Sequence, residues 1–353
     1  MRIQICCFLS SLSLIASAQT FEVGVHPGQE LLTIIQILAD QYPEPNESTY
    51  QKDMRAHFAN MSDHPAVRYI AAFQNTLYTD FPEMGWCIET ENDYALFLPD
   101  SNSWYELYGK DTVQQYLRLA VDFAKASDFK AFYNAHEPDY ASWGIALSQK
   151  IDSLDLVSKL DQFHRIEAEP HFYIAMDPLN SWGAHAIPHL EELNPNLSHV
   201  KAYSLGYWNR ASTSSDDPSF TSTSFLTDLV WHEGSHIYLN QVLLENEEQI
   251  AQLEYLYDPE SNRLRRQNIN DWAYCFEENL VRGIVISLIG RYSTPLSRRY
   301  QNAEELSAGF IYAEFISHWI DEKYLGDTSF RPWNYWLPIL LSDLKNEFPT
   351  RPE

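Results

Sequence analysis

Cysteine is nearly absent from this chain. Its 353 residues include 4 cysteines, and Cys6 and Cys7 lie in an N-terminal stretch that reads as a leader. Cys87 and Cys275 remain. They allow one disulfide at most, which excludes a disulfide-stapled scaffold. Both sit among aromatic and apolar neighbours, so two buried thiols are expected. Cations are also scarce: 24 Lys and Arg stand against 49 Asp and Glu, a formal net charge of −25. Such a chain repels phosphate backbones and anionic headgroups, which argues against nucleic acid and against anionic membrane surfaces as partners. No apolar run reaches the length of a membrane span, so no membrane insertion is expected. There is no internal repeat and no low-complexity linker. A chain this long can bury a large core without staples.

The first residues carry a different signal. Met1-Arg2 is a short positive start, residues 3–15 are apolar, and Ala16-Ser17-Ala18 has the pattern of a cleavage site. Residues 1–18 are therefore expected to be a cleavable signal peptide, and 19–353 a single domain that is secreted or periplasmic. The two early cysteines precede the end of the apolar run, so a lipid anchor is not expected.

Apolar spacing predicts helices over 28–39, 46–60, 64–73, 104–126 and 140–163, with a short strand over 94–98. The pattern then changes. Residues 171–176 and 199–207 read as strands, with a loop over 177–187 between them. Residues 212–223 form a loop rich in Ser, Thr and Asp, and helices dominate 225–324. A helical part over about 19–165, followed by a small sheet and further helices over about 166–353, predicts an α+β fold in one compact unit.

The residues that carry chemistry are His232-Glu233-Gly234-Ser235-His236, an H-E-x-x-H inside a helix-periodic, apolar stretch. On a helix His232 and His236 are one turn apart on one face. Two neutral imidazoles at that spacing can grip one zinc ion, and three protein ligands leave a position open for water. Glu233 lies where it can take a proton from that water. Uncharged Gly234 and Ser235 fill the turn, where a Lys or Arg would compete with a cation. Two solvated histidines on a surface helix are the alternative, but residues 225–244 are too apolar for an exposed helix.

A third ligand is needed. The metalloprotease variant with a third His requires Gly and His where Leu239 and Val242 stand, so that class is excluded. A Glu from a later helix is the other common solution, and the apolar helix over 272–284 offers Glu277 and Glu278. Buried acids need partners, and a metal is one. Helical phase puts Glu277 nearer the centre of the apolar face. Glu278 has Arg282 one turn on, placed to orient a ligand carboxylate. The residues alone leave both acids open.

Glu278-Asn279-Leu280-Val281-Arg282-Gly283 resembles the E-x-[LI]-V-R-A element of an uncharacterised family of secreted bacterial proteins, domain of unknown function 4932, read as gluzincin-type zinc metallopeptidases. Residues 25–35 (Val-His-Pro-Gly-Gln-Glu-Leu-Leu-Thr-Ile-Ile) resemble that family's opening helix. Ala56-His57-Phe58 to Asp63-His64-Pro65-Ala66-Val67 resembles its next one, and His232 to His236 matches its H-E-x-S-H. Gly283 departs from the family's Ala. The resemblance implies a mostly helical zincin-like fold with a small β-sheet and an active-site helix. It implies one zinc per chain on His232, His236 and Glu278, with Glu277 as the alternative third ligand, and Glu233 as general base. It also points to His318 or Tyr312, on the helical stretch 306–325, as a candidate hydrogen-bond donor to the oxyanion; an ordinary core or surface residue is the preferred reading of each. By the same analogy the strand around Tyr203 to Tyr207 is the sheet edge that pairs with an extended substrate.

His171, His185, His189 and His199 have no recognisable metal spacing and read as ordinary residues. The expectation is a secreted zinc metallohydrolase acting on a peptide or protein. A hydrolase of a non-peptide amide or ester, and a binding module with a vestigial zinc site, are the alternatives. An intact Glu233 argues against the last, because a structural site has no use for a base.

Overall fold

Two His-Pro dipeptides start helices. In the computed structural model, which describes residues 21–41, 48–73, 80–166, 171–180, 183–187, 190–197, 200–206, 220 and 223–352, strand β1 (Phe21–Gly24) leads into helix α1 (Pro27–Leu38). His26 is the N-cap of α1, its Nδ1 accepting from the Gln29 N–H at 3.2 Å, with Pro27 in the first turn. Pro there loses no hydrogen bond and brings a helical φ. Helix α2 (Thr49–His57) follows, and His64-Pro65 repeats the device at α3 (Pro65–Ala71). The short helix α4 (Asp80–Glu83) and the hairpin of β2 (Ile88–Glu89) and β3 (Ala95–Leu96) come next.

The helix expected over 104–126 is two. Gly109 has φ +85°, a left-handed conformation that glycine adopts at low cost, and it divides α5 (Ser103–Tyr108) from α6 (Lys110–Ala126). The helix expected over 140–163 starts earlier, as α7 (Phe129–Leu154). It breaks at Asp155 (φ +54°) before α8 (Leu156–His164).

The main sheet contains β4 (His171–Asp177), β5 (Ala184–Ile187) and β6 (Val200–Gly206) as well as β1, in the order β1-β4-β6-β5. β1, β4 and β6 are parallel and β5 is antiparallel to β6. Six of the seven β6 residues are buried, as expected of a strand paired on both sides and covered by helices. This corrects the expectation that residues 203–207 form the sheet edge: β6 is interior, and β5, in the segment read as a loop, holds that edge among the described residues. Tyr207 itself lies outside them.

The rest is helical: α9 (Leu190–Leu193), α10 (Thr223–Glu245), α11 (Glu247–Ala251), α12 (Asn262–Arg265), α13 (Trp272–Tyr292), α14 (Pro295–Ala308), α15 (Ala313–Trp319) and α16 (Trp333–Glu347). The whole is α+β, mostly helical with a small sheet. Helix α10 packs against β5, β6, α8, α13 and α16, and α13 packs against α14 and α15. Gly283 lies where α13 packs against α15: a Cβ there would stand 2.6 Å from Ile316 Cγ2. That accounts for glycine where the resembled motif has alanine.

Cys87 and Cys275 are buried free thiols. Burial pushes each pKa up to about 12, which makes both inert at neutral pH. Among the described residues no helix is long and apolar enough to cross a membrane. The expected signal peptide lies outside the described residues.

Candidate metal centre

Helix α10 is fixed before any ligand is considered. The Trp231 indole donates to the Leu156 carbonyl at 3.0 Å. Ser235 Oγ donates to the Trp231 carbonyl at 2.6 Å and meets His164 Nε2 at 3.1 Å. The Trp333 indole donates to His164 Nδ1 at 3.1 Å, so the proton of this imidazole is on Nε2, facing Ser235. Burial lowers its pKa to about 3 and keeps it neutral. Gly234 lies so close to Leu160 that a Cβ would collide with that side chain. The residues between the two histidines thus seat α10 on α8 and α16 and leave the opposite face for His232 and His236.

On that face three side chains converge. His232 Nε2 and His236 Nε2 are 3.2 Å apart. Glu278, from α13, places Oε2 3.7 Å from His232 Nε2 and Oε1 3.5 Å from His236 Nε2. These residues form the one group among the described residues that could hold a metal ion. Glu278 is 5% exposed. Burial pushes its carboxyl up, but the hydrogen bond with His236 and the charges of His232 and Arg282 outweigh it and hold the group well below the usual carboxylate range. It is therefore ionised and available as a ligand.

Glu277 is close by in a different role. Its Oε1 accepts from His236 Nδ1 at 2.6 Å, which directs Nε2 of that ring toward His232 and Glu278. A carboxylate on the far nitrogen of a ligand histidine fixes tautomer and ring orientation. Glu277, not Glu278, is the more exposed of the two acids, with its side chain 29% accessible against 7%. The helical-phase reading that put Glu277 nearer the centre of the apolar face than Glu278 is thereby reversed.

The imidazoles are electrically unlike. Burial, helped by the charges of Arg282 and His236, pushes His232 well below its ordinary value, with Glu278 opposing. For His236 burial also works against the charged form, but the hydrogen bonds to Glu277 and Glu278 win and hold its pKa well above 6.5. Glu233 is buried next to His236, and the Ala186 N–H of β5 bonds to its carboxylate. Burial pushes Glu233 up to about 7, helped by the charge of Glu278 and opposed by His236, Ala186 and Arg282. A carboxyl at that value exchanges a proton readily near neutral pH.

Arg282 lies one turn after Glu278 and holds it: Nε is 3.1 Å and Nη2 3.0 Å from Oε2. The two oxyanion candidates differ in their surroundings. The Tyr312 hydroxyl is in the core, donating to the Leu256 carbonyl at 2.8 Å, and His318 is exposed on α15. The residue that sequence reasoning passed over is Tyr274, one turn before Glu278 and 40% exposed. Burial and then the negative charges of Glu278, Glu277 and Glu233 raise its hydroxyl pKa. Its i−4 spacing from Glu278 was the available signal.

Of the other histidines, His185 on β5 lies 3.2 Å from Glu83 and burial lowers its pKa to about 3. His171 begins β4, and His189 and His199 lie outside the described residues. Compared with family models, with curated proteins and with solved structures, the chain matches none. The resemblance drawn from its motifs therefore rests on those motifs alone.

Proposed function

We propose that this chain is a zincin-like zinc metallopeptidase, with one zinc held by His232, His236 and Glu278 and with Glu233 as general base. The observation that carries the reading is the convergence of both Nε2 atoms and the Glu278 carboxylate, with a buried carboxyl, Glu233, beside them. The donor set fits the metal. Tetrahedral zinc with bonds of about 2.0–2.2 Å separates its ligand atoms by about 3.3–3.6 Å; the two imidazole nitrogens are 3.2 Å apart, with Glu278 Oε1 3.5 Å from His236 and Oε2 3.7 Å from His232. Zinc bound there supplies a Lewis acid for the scissile carbonyl and lowers the pKa of a water.

The remaining work falls to the chain. Glu233 takes the proton of the attacking water and returns it to the leaving amine. Its raised pKa suits both directions of transfer. Tyr274 takes the place of Tyr312 and His318 as the hydrogen-bond donor to the developing oxyanion. Strand β5 lies at the sheet edge among the described residues, beside Glu233, and that edge offers an extended peptide a pairing partner. Glu277 keeps His236 oriented, and Arg282 does the same for Glu278.

Glu233→Gln tests the reading. Gln is nearly isosteric and cannot accept the proton of water, so this variant is expected to bind zinc as the parent does and to lose peptide hydrolysis. Cleavage at the parent's rate would remove Glu233 as the base. Parent protein that binds zinc but cleaves esters or non-peptide amides alone would keep the site and change the substrate class.

A further inference from the structure

The arginine that holds Glu278 is itself held from a third helix. While Nε and Nη2 of Arg282 face Glu278 Oε2, Nη1 donates to Glu305 Oε2 at 2.7 Å. Glu305 belongs to α14 and is buried. The guanidinium lies 3.8 Å above the Phe310 ring. The second Glu305 oxygen, Oε1, accepts from Gln301 Nε2 at 2.7 Å, and the same amide reaches Asp228 Oδ1 at 3.2 Å. Asp228 is on α10, one turn before His232. The polar chain leaves the cluster through Glu278, crosses to α14 and returns to the helix that carries the histidines.

A guanidinium beside one carboxylate tends to take both of its oxygens in a fork. Arg282 does not. Its Nε and Nη2 both meet Oε2 of Glu278 while Nη1 is anchored by Glu305, which fixes where the guanidinium lies, and Oε1 is left turned toward His236. We infer that Glu305 is a positioning residue for the metal centre, which by holding Arg282 decides which oxygen of Glu278 is free to bind a cation. The inference rests on the zinc reading above.

Competition between the protein and a chromophoric chelator for zinc, at a temperature where every variant is folded, tests it. Glu305→Ala is expected to raise the zinc Kd by about 10- to 100-fold, the range for loss of a group that orients a ligand. Glu305→Gln keeps an oxygen for Arg282 and is expected to lose less, about 5- to 10-fold. Glu304→Gln removes the same charge from an exposed position on α14 and is expected to leave the Kd at the parent value. The visible spectrum of the cobalt-substituted protein should shift in Glu305→Ala and not in Glu304→Gln, because it reports ligand geometry and not charge. A Kd within twofold of the parent in Glu305→Ala, with lower thermal stability, would make Glu305 a helix-joining residue and overturn the inference. Should that variant not fold, Glu305→Gln and Gln301→Ala take its place, and parent-like Kd values in both overturn it equally. Parent protein without zinc affinity overturns the metal reading and this inference together. Zinc-binding parent with indifferent variants overturns this inference alone.

Discussion

Glu278 and Glu277 are neighbours in the chain, and both touch His236. Changing each to glutamine separates a ligand from the residue that orients one. Glu278 is buried, lies 3.5 and 3.7 Å from the two Nε2 atoms and has Arg282 on its other side. Glutamine there presents the cluster with a neutral carbonyl, or with an amide N–H that repels a cation. Removing one partner of a buried charge pair costs about 3–5 kcal/mol. At about 1.4 kcal/mol per decade, the zinc Kd in Glu278→Gln should rise from a hundredfold to several thousandfold. Glu277 is partly exposed, and glutamine keeps an oxygen for His236 Nδ1–H. Its loss should be near the low end of the 10- to 100-fold range for groups behind a ligand, because solvent screens the missing charge. Chelator competition at fixed pH, with elemental analysis of each protein, measures both. A larger loss in Glu277→Gln than in Glu278→Gln would make Glu277 the third ligand. Parent-like affinity in both would mean that the cluster is not a metal site.

Arg282→Met leaves Glu278 and Glu305 without their shared partner, so the metal-free protein should lose about 3–5 kcal/mol of stability and the zinc Kd should rise about 10- to 100-fold. A collapse in thermal stability with unchanged affinity would reduce Arg282 to a structural ion-pair residue. Zinc affinity should also climb with pH. Glu277 and Glu278 hold the His236 pKa well above 6.5, so near neutrality a metal must displace that proton, and the apparent affinity should gain about tenfold per pH unit until the raised pKa is passed. Glu277→Gln lowers that pKa and should move the plateau to lower pH. Affinity independent of pH between roughly 6 and 8 would contradict this account.

What the sequence made legible divides along local and distant contacts. The offset of His232, Glu233 and His236 is a property of one helix, so spacing alone put the two histidines on one face with Glu233 adjacent to it. The helix of the third ligand was equally plain. The choice within it was not, since Glu277 and Glu278 differ by about a quarter turn, and only the way α13 packs on α10 decides which is buried. The strands were readable where apolar residues run on, as in β4 and β6. Strand β1 is four residues long and pairs with β4 across about 150 positions of chain, and β5 is Ala-His-Ala-Ile, with a single β-branched residue. Neither has a local signature, and missing β5 moved the expected sheet edge to β6. The bond of the Tyr312 hydroxyl to the Leu256 carbonyl was illegible for the same reason. A hydrogen-bond donor to an oxyanion is defined by its position over the site, and that position comes from tertiary packing. Tyr274, at a fixed helical offset from Glu278, was the candidate that local reasoning had within reach.

The two residues between the histidines show how far the motif depends on its surroundings. A ligand pair on a helix is useful only if the helix cannot turn about its axis, and a rotation of one residue would carry His232 and His236 away from Glu278. Helix α10 is prevented from turning on the side opposite the ligands. Gly234 admits Leu160 at a distance no side chain would allow. Ser235 is tied to His164, whose proton position is set by Trp333. These contacts involve α8 and α16, which carry no ligand. The acids that face the histidines are carried by α13, and Arg282 links that helix to α14 through Glu305. The three ligand atoms are therefore held from two sides by elements that never touch them. The small uncharged residues of the motif follow from packing on one side as much as from the need to keep cations out of the turn on the other.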